Sequence, residues 1–240
     1  MKKIKNSRGE LTTQQIVLLI ILVTSFSIIL FFFFKLNLGE ETQKTICRNS
    51  VILKGNSVIK SGNLDCRINY LCISGGEDCE GINPTETVEV DISNKEEIME
   101  FIANEMADCW WQFGEGKVDY VGSYIGTHCA VCSTIEFDES LKEITITYKE
   151  LFEFLEKNKK DGSQTYLEYL FGVSKADSFV SDNDYITKNY DVPFSFDERY
   201  SIITGRNKEL ISSDSIIPVY FMKTRELDES TCTKYDVTKA

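Results

Sequence analysis

The sequence predicts an α+β protein in which a single N-terminal transmembrane helix precedes a disulfide-supported, mixed α+β extracytoplasmic domain. Three observations predict this fold class. A long uncharged apolar run lies near the N-terminus, all eight cysteines follow it, and helical and strand patterns succeed one another downstream without regular alternation. The 240 residues leave room for one anchor and one sizeable domain.

The apolar run has no charged side chain from Leu11 to Phe34. As a helix rising about 1.5 Å per residue, it is long enough to span the roughly 30 Å of a bilayer's hydrocarbon core. A cleaved secretory signal would end in a small-residue site, and the following LNLGEETQ segment does not contain one. We therefore predict a transmembrane helix over residues 11–37, with the lipid bilayer as its partner.

The charges beside this helix predict its direction. Four basic residues and no acidic one precede Glu10, whereas Glu40 and Glu41 follow the helix. Because basic flanks stay in the cytoplasm, residues 1–10 form a cytoplasmic basic tail. Residues 38–50 are then a polar stalk or linker outside the cell membrane, and residues 51–240 form the extracytoplasmic domain.

The charge balance excludes one class of partner. The whole chain carries −12 and its first nine residues carry four positive charges, so the remainder carries −16. Such an acidic body repels phosphate backbones, and we predict no nucleic-acid binding. We interpret the charge as a solvated acidic surface in preference to a cation-collecting one.

The N-terminal residues resemble a known family. Ser7, Arg8, Gly9 and Glu10 stand before the apolar helix as in the class III signal of archaeal type IV pilin-like surface proteins. The resemblance covers about the first 35 residues. It implies cleavage after Gly9, a mature chain that begins at Glu10, and a helix used in a filament. The family has an acidic residue near the fifth mature position, where this chain has Gln14. An unprocessed anchor is the other interpretation.

The cysteines predict disulfides, because the domain is placed in an oxidising compartment. Their number is even, which allows up to four bonds among 105 pairings. The candidates are Cys47, Cys66, Cys72, Cys79, Cys109, Cys129, Cys132 and Cys232.

The first half of the domain combines short strands with one long helix. Val51–Leu53, Ile68–Ile73 and the alternating segment Thr85–Ile92 are predicted strands. The helix is predicted from about Lys95 to Phe113, with apolar residues at spacings of three and four.

Two details of this helix are predicted. Ser93 is the expected N-cap, with Glu96 completing a capping box. Trp110 and Trp111 point about 100° apart on a helix, so they cannot form one stacking surface. We expect Trp110 in the core and Trp111 at its margin.

The second half alternates again between strand and helix patterns. Ser133–Phe137 and Glu143–Thr147 are interpreted as a hairpin around a turn at residues 138–140. Thr147 with Glu150 predicts a capped helix. A short helix opens at Ser163 or Thr165 and stops at Gly172, residues 174–196 are an irregular loop, and Tyr200–Thr204 and Ile216–Lys223 are final strands.

The segment around His128, the chain's only histidine, contains the residues most suited to chemistry. Cys129 and Cys132 form a Cys-x-x-Cys pair and are the redox candidates of a thioredoxin-like oxidoreductase. That chemistry requires the pair at a helix N-terminus. The residues after Cys132 indicate a strand instead, although Pro218 offers a counterpart to the family's cis-proline.

A zinc site and nucleophilic catalysis at this segment are less favoured than redox chemistry. Zinc needs four ligands, usually two short-spaced pairs, and the chain has one such pair. His128 and Cys129 point to opposite faces if they share a strand. We predict no metal, no cofactor and no catalytic residue beyond the redox candidates. Cys109 is instead expected to bond Cys129 or Cys132.

These observations favour a membrane-anchored cell-surface protein that acts as a structural or binding module among envelope or surface proteins. The first alternative is a pilin-like filament subunit processed after Gly9. The second is an envelope thiol–disulfide oxidoreductase that uses Cys129 and Cys132.

Overall fold

The computed structural model describes residues 13–35, 38–57, 63–122, 125–181, 183–208, 215–227 and 233–234. The chain divides into two units, Met1–Thr42 and Gln43–Ala240, which are described separately.

The first unit contains an apolar helix, α1, from Thr13 to Lys35. Its segment Gln14–Phe32 has a mean hydropathy of 2.7, and none of it is buried within the structure. The hydroxyls of Thr24, Ser25 and Ser27 donate to carbonyls one turn earlier, so these polar groups are satisfied inside the helix. By length and composition α1 is compatible with a membrane anchor or with a signal sequence.

Helix α2 runs from Leu38 to Asn56, so its last 14 residues belong to the second unit. The expected polar stalk is therefore helical, and the predicted strand at Val51–Leu53 is wrong. Cys47, Val51 and Lys54 are buried at positions i, i+4 and i+7, which is the period of a helix face. A run of three apolar residues is too short to reveal that period.

The second unit has five further helices and six strands among the described residues. The helices are α3 Lys95–Gln112, α4 Tyr148–Lys157, α5 Tyr166–Phe171, α6 Ala176–Val180 and α7 Asp184–Asn189. The strands are β1 Asn69–Ser74, β2 Glu86–Glu89, β3 Gly126–Phe137, β4 Tyr200–Lys208, β5 Ser215–Lys223 and β6 Thr233–Lys234.

The strands form one mixed sheet in the order β2-β1-β3-β4-β5, and β6 also pairs with β3. Strands β1, β2, β3 and β6 are joined by parallel pairing, whereas β3, β4 and β5 are antiparallel. Helices and strands share one core, so the predicted mixed α+β class is confirmed.

The two faces of the sheet are packed differently. Along β3, Ala130 and Cys132 belong to the main core, which contains the buried residues of α3, α4 and α5. Cys129 lies in a separate small cluster with Ile203 and Leu227. Successive residues of a strand face opposite sides, so this alternation separates the helix-covered face from the other.

The predicted hairpin is wrong. Strand β3 extends over 12 residues, from Gly126 to Phe137, and a short 3-10 helix at Glu139–Leu141 follows it. Residues 143–147 contribute only an isolated bridge from Thr147 to Pro193. Ile146 is fully buried and Ile144 partly buried in the main core, so their alternation reflects packing of an irregular segment on the core.

The predicted cap of α4 is confirmed, Thr165 rather than Ser163 begins α5, and the predicted cap of α3 is wrong. Asn94, not Ser93, accepts the hydrogen bond from the Glu96 amide, because the Ser93 hydroxyl donates to Asp91 instead. The Thr147 capping box of α4 and the Thr165 capping box of α5 are both present, and Gly172 ends α5 in the left-handed conformation. The segment 174–196, expected to be irregular, contains α6 and α7.

Candidate functional site

Three disulfides join cysteines of the described residues. Cys109 bonds Cys132, so the predicted link from α3 to the Cys-x-x-Cys segment is present with the second cysteine as partner. Cys129 is also disulfide-bonded. Cys232 lies outside the described residues. The other two bonds are Cys47–Cys66 and Cys72–Cys79.

The Cys-x-x-Cys pair lies within β3, not at a helix N-terminus. Three positions along a strand bring side chains to opposite faces, so Cys129 and Cys132 diverge. Cys132 joins Cys109 in the main core, with the two Cα atoms 5.6 Å apart. Pro218 lies inside β5 and follows a trans peptide bond. The bond between the two cysteines that an oxidoreductase of this kind requires is absent, because Cys132 is bonded elsewhere.

His128, possible metal ligands and the processing site are the other chemical candidates of the sequence. His128 is buried in β3 beside Cys129. The described residues contain no group of three or more His, Cys, Asp or Glu arranged to hold a metal ion. The processing-site candidates Gly9 and Glu10 lie outside the described residues.

The two tryptophans occupy different environments, as predicted. Trp110 is half-buried and packs against the main core. Trp111 is half-buried beneath Arg48 of α2, whose guanidinium carbon lies 4.5 Å from the ring centroid. Arg48 also donates a hydrogen bond to the Trp111 carbonyl. The cation–π contact and the hydrogen bond from Arg48 to Trp111 therefore hold α2 against α3.

The exposed side of Trp110 lines an open groove of about 550 Å³. We call it the Trp110 groove. It lies between the loop after α3, the helix α5 and the edge strand β5. Its walls combine aromatic and apolar side chains with acidic, basic and amide groups, which is the composition of a binding cleft. The lining residues are Trp110, Glu115, Lys117, Gln164, Glu168, Tyr169, Leu170, Phe171, Gly172, Ile216 and Pro218.

The loop beside the groove is closely packed at Gly116. This residue has a φ of +71°, and a Cβ there would lie 3.0 Å from the Trp110 ring and 3.1 Å from Ile216 Cδ1. A side chain at this position would therefore meet both residues and strain the backbone. Glycine allows the loop, the indole and the edge strand to meet.

Glu115 is held between two groove residues. Its carboxylate accepts hydrogen bonds from Tyr169 Oη at 3.1 Å and from Lys117 Nζ at 2.7 Å. Partial burial alone would raise the pKa of Glu115, but these bonds hold the pKa below its ordinary value. Its backbone is in the left-handed region with a φ of 56°, which is uncommon for a residue with a side chain. The loop thus presents a fixed negative charge to the groove.

A second carboxylate and a cation–π contact complete the site. Glu168 is exposed, and its carboxylate accepts from the Thr165 amide as part of the α5 capping box. Lys160 Nζ lies 4.6 Å from the centroid of the Tyr169 ring. Burial, followed by the Glu115 charge, raises the pKa of Tyr169, so its hydroxyl stays protonated and donates. The groove therefore carries aromatic rings beside carboxyl groups.

Sequence reasoning missed this groove. Its residues come from segments about 50 residues apart, namely 110–117, 164–172 and 216–218. The tryptophan pair is the one signal for the groove in the sequence, and its spacing predicts core packing. That interpretation describes one side of Trp110, and the other side became visible only once α5 and β5 were in place.

Comparisons with protein-family models, with curated proteins and with solved structures found no match to this chain.

Proposed function

We propose that this chain is a single-pass membrane-anchored surface protein whose disulfide-linked domain acts outside the membrane as a structural or binding module for envelope or surface proteins. The observation that carries the proposal is α1. Its apolar side chains from Ile16 to Leu30 are about half exposed on every side, so they need lipid or another apolar surface around them.

Two further observations support the orientation. The domain contains three disulfides within the described residues, and such bonds persist in oxidising compartments outside the cytoplasm. The basic residues Lys2, Lys3 and Lys5 precede the apolar helix, as in cytoplasmic flanks. Both favour a domain outside and a tail inside.

Extraction and labelling of intact cells test this function. We expect the full chain to stay with membranes in alkaline carbonate and to be released by detergent. A membrane-impermeant amine reagent should modify exposed domain lysines such as Lys149 and Lys157 but leave Lys2, Lys3 and Lys5 unmodified. Release by carbonate, or modification of the N-terminal lysines in unbroken cells, would contradict the anchored topology.

A pilin-like filament subunit is the second function that we propose to test. The residues Ser7-Arg8-Gly9-Glu10 support it, together with a following helix whose apolar side chains are exposed on all sides. In a filament, neighbouring helices would cover those side chains. N-terminal sequencing distinguishes the two functions, because only the filament subunit should begin at Glu10. A Gly9→Val variant should then retain Met1 or Lys2 and remain unassembled, whereas an anchored module should be unaffected.

A further inference from the structure

We propose that the Trp110 groove binds a cationic segment of a partner protein, with a lysine or arginine side chain placed among its rings and carboxylates. The partner class rests on the proposed function, since a surface module would meet it in the same envelope. The affinity of the groove is a separate property that does not depend on membrane topology.

The chemistry of the lining favours a cation. Trp110, Tyr169 and Phe171 contribute aromatic rings to the lining, and Glu115 and Glu168 contribute carboxylates beside them. An ammonium or guanidinium group is attracted to both kinds of surface. The acidic body of the domain adds a long-range field of the same sign, which speeds the approach of basic segments.

Two lysines of the chain already make the contacts that a bound cation would make. Lys160 Nζ lies over the Tyr169 ring at 4.6 Å, so that ring accepts an ammonium group. Lys117 Nζ lies 2.7 Å from Glu115, yet its side chain is 77% exposed. Such an exposed ion pair is weak, and the Lys117 side chain can leave it at little cost. A partner's cation would take over this position at Glu115.

The sequence of β5 disfavours one other mode of binding, the addition of a peptide strand to the sheet. Among the described residues β5 is the last strand on its side of the sheet, and a peptide could extend the sheet there by backbone pairing. Pro218 has no amide hydrogen and interrupts that ladder at the groove. Recognition through side chains is therefore favoured over strand addition.

Fluorescence titration of the full chain in neutral detergent tests the proposal. In a Trp111→Phe background Trp110 is the only indole. The probe is an acetylated, amidated peptide of alternating glycine and arginine, and the control peptide has neutral citrulline at each arginine. We expect saturable quenching by the arginine peptide and at least about tenfold weaker binding of the citrulline peptide.

Matched variants identify the groove as the binding site. Lys117→Gln removes the competing ammonium and should tighten binding about threefold. Lys142→Gln makes the same change in net charge, but Lys142 pairs with Glu139 and Asp197 outside the groove lining, so this variant should leave affinity unchanged. Glu168→Gln keeps a residue able to complete the capping box and should weaken binding about threefold.

Three results would overturn the proposal: no saturable quenching by the arginine peptide, equal binding of the citrulline peptide, or equal effects of Lys117→Gln and Lys142→Gln. The last would assign the attraction to the acidic body as a whole. None of these results bears on carbonate extraction or lysine labelling, so failure of the groove and failure of the anchored topology are distinguishable.

Discussion

The carboxylate of Asp138 joins two segments of the domain by hydrogen bonds. The residue is buried directly after β3, and its carboxylate accepts hydrogen bonds from the hydroxyls of Ser74 and Ser140 and from the amides of Gly75 and Glu77, at 2.7–3.0 Å. Burial alone would raise the pKa of Asp138, but these donors hold the pKa below its ordinary value of 3.8. The ionised carboxylate therefore ties the turn after β1 to the end of β3.

Replacing this carboxylate should destabilise the domain. We expect Asp138→Asn to lower the free energy of unfolding by about 2 kcal/mol, because an amide supplies one acceptor and places donors against donors. Asp197→Asn is the matched control, since its side chain is 69% exposed. Denaturant unfolding of the full chain in detergent measures both. Equal stability of the two variants would contradict the role of Asp138.

The contribution of Asp138 to the free energy of unfolding should depend on pH. The folded pKa of Asp138 lies below its unfolded value, so its stabilisation is complete above the unfolded pKa and is lost as the pH falls through the folded pKa. The difference in unfolding free energy between the natural chain and Asp138→Asn should therefore be constant near neutral pH and shrink below about pH 4. A difference that grows on acidification would show that the carboxyl is protonated in the folded domain.

Helix α3 is fixed at its beginning by a cap and near its end by a disulfide. Asn94 accepts from the Glu96 amide at 3.1 Å, and Cys109 bonds Cys132 of β3. Between these points Ile98 and Ile102 are fully buried in the main core. The helix is thereby held against the sheet in one register, which in turn sets the position of Trp110.

The cap of α3 can be assigned by a pair of substitutions. Asn94→Ala should lower the free energy of unfolding by about 1 kcal/mol, because it removes the acceptor for the first turn of the helix. Ser93→Ala removes an exposed hydrogen bond to Asp91 and should change it by under about 0.5 kcal/mol. The larger loss for Ser93→Ala would assign the cap to the residue that the sequence first indicated.

The disulfides should differ in how much each contributes to the free energy of unfolding. Removing the Cys109–Cys132 bond by paired alanine substitutions should lower the free energy of unfolding by about 3 kcal/mol, and removing Cys72–Cys79 should lower it by about 2 kcal/mol. The reason is loop length, since the first bond closes a separation of 23 residues and the second a separation of 7. A larger loss for the Cys72–Cys79 pair would contradict this order.

At the scale of the whole domain, disulfides act on both faces of the sheet. Cys132 faces the helix-covered core, where Cys109 meets it, whereas Cys129 lies in the small cluster on the other face. Cys47–Cys66 joins α2 to the segment before β1. The Cys47–Cys66 and Cys109–Cys132 bonds thus connect segments that lie 19 and 23 residues apart in the chain.

Peptide mapping without reduction tests this arrangement. We expect the bonds Cys47–Cys66, Cys72–Cys79 and Cys109–Cys132, with no free thiol. Cys232 is the cysteine left over for Cys129 within the chain, so a Cys129–Cys232 peptide is also predicted. Recovery of a Cys129–Cys132 bond would contradict the pairing and return the oxidoreductase hypothesis to consideration.

The sequence by itself determined the features that depend on neighbours along the chain. The apolar helix, the capping box at Thr147 and the end of α5 at Gly172 each follow from a few consecutive residues. Strands β1 and β5 were likewise predicted near their observed bounds, whereas β4 was predicted to start at Tyr200 but continues past the predicted end at Thr204 to Lys208. In these cases hydrogen bonding and periodicity act within about two helical turns.

Only the tertiary structure decided features that join distant segments. The alternation in residues 143–147 was compatible with a strand, but no neighbouring strand pairs with it, so packing on the core gives it an irregular path. The partner of Cys132 depended on where α3 meets β3, and the groove depended on α5 and β5 meeting beside Trp110. Local pattern cannot specify such contacts, because their free energy comes from burying surfaces that are far apart in the chain.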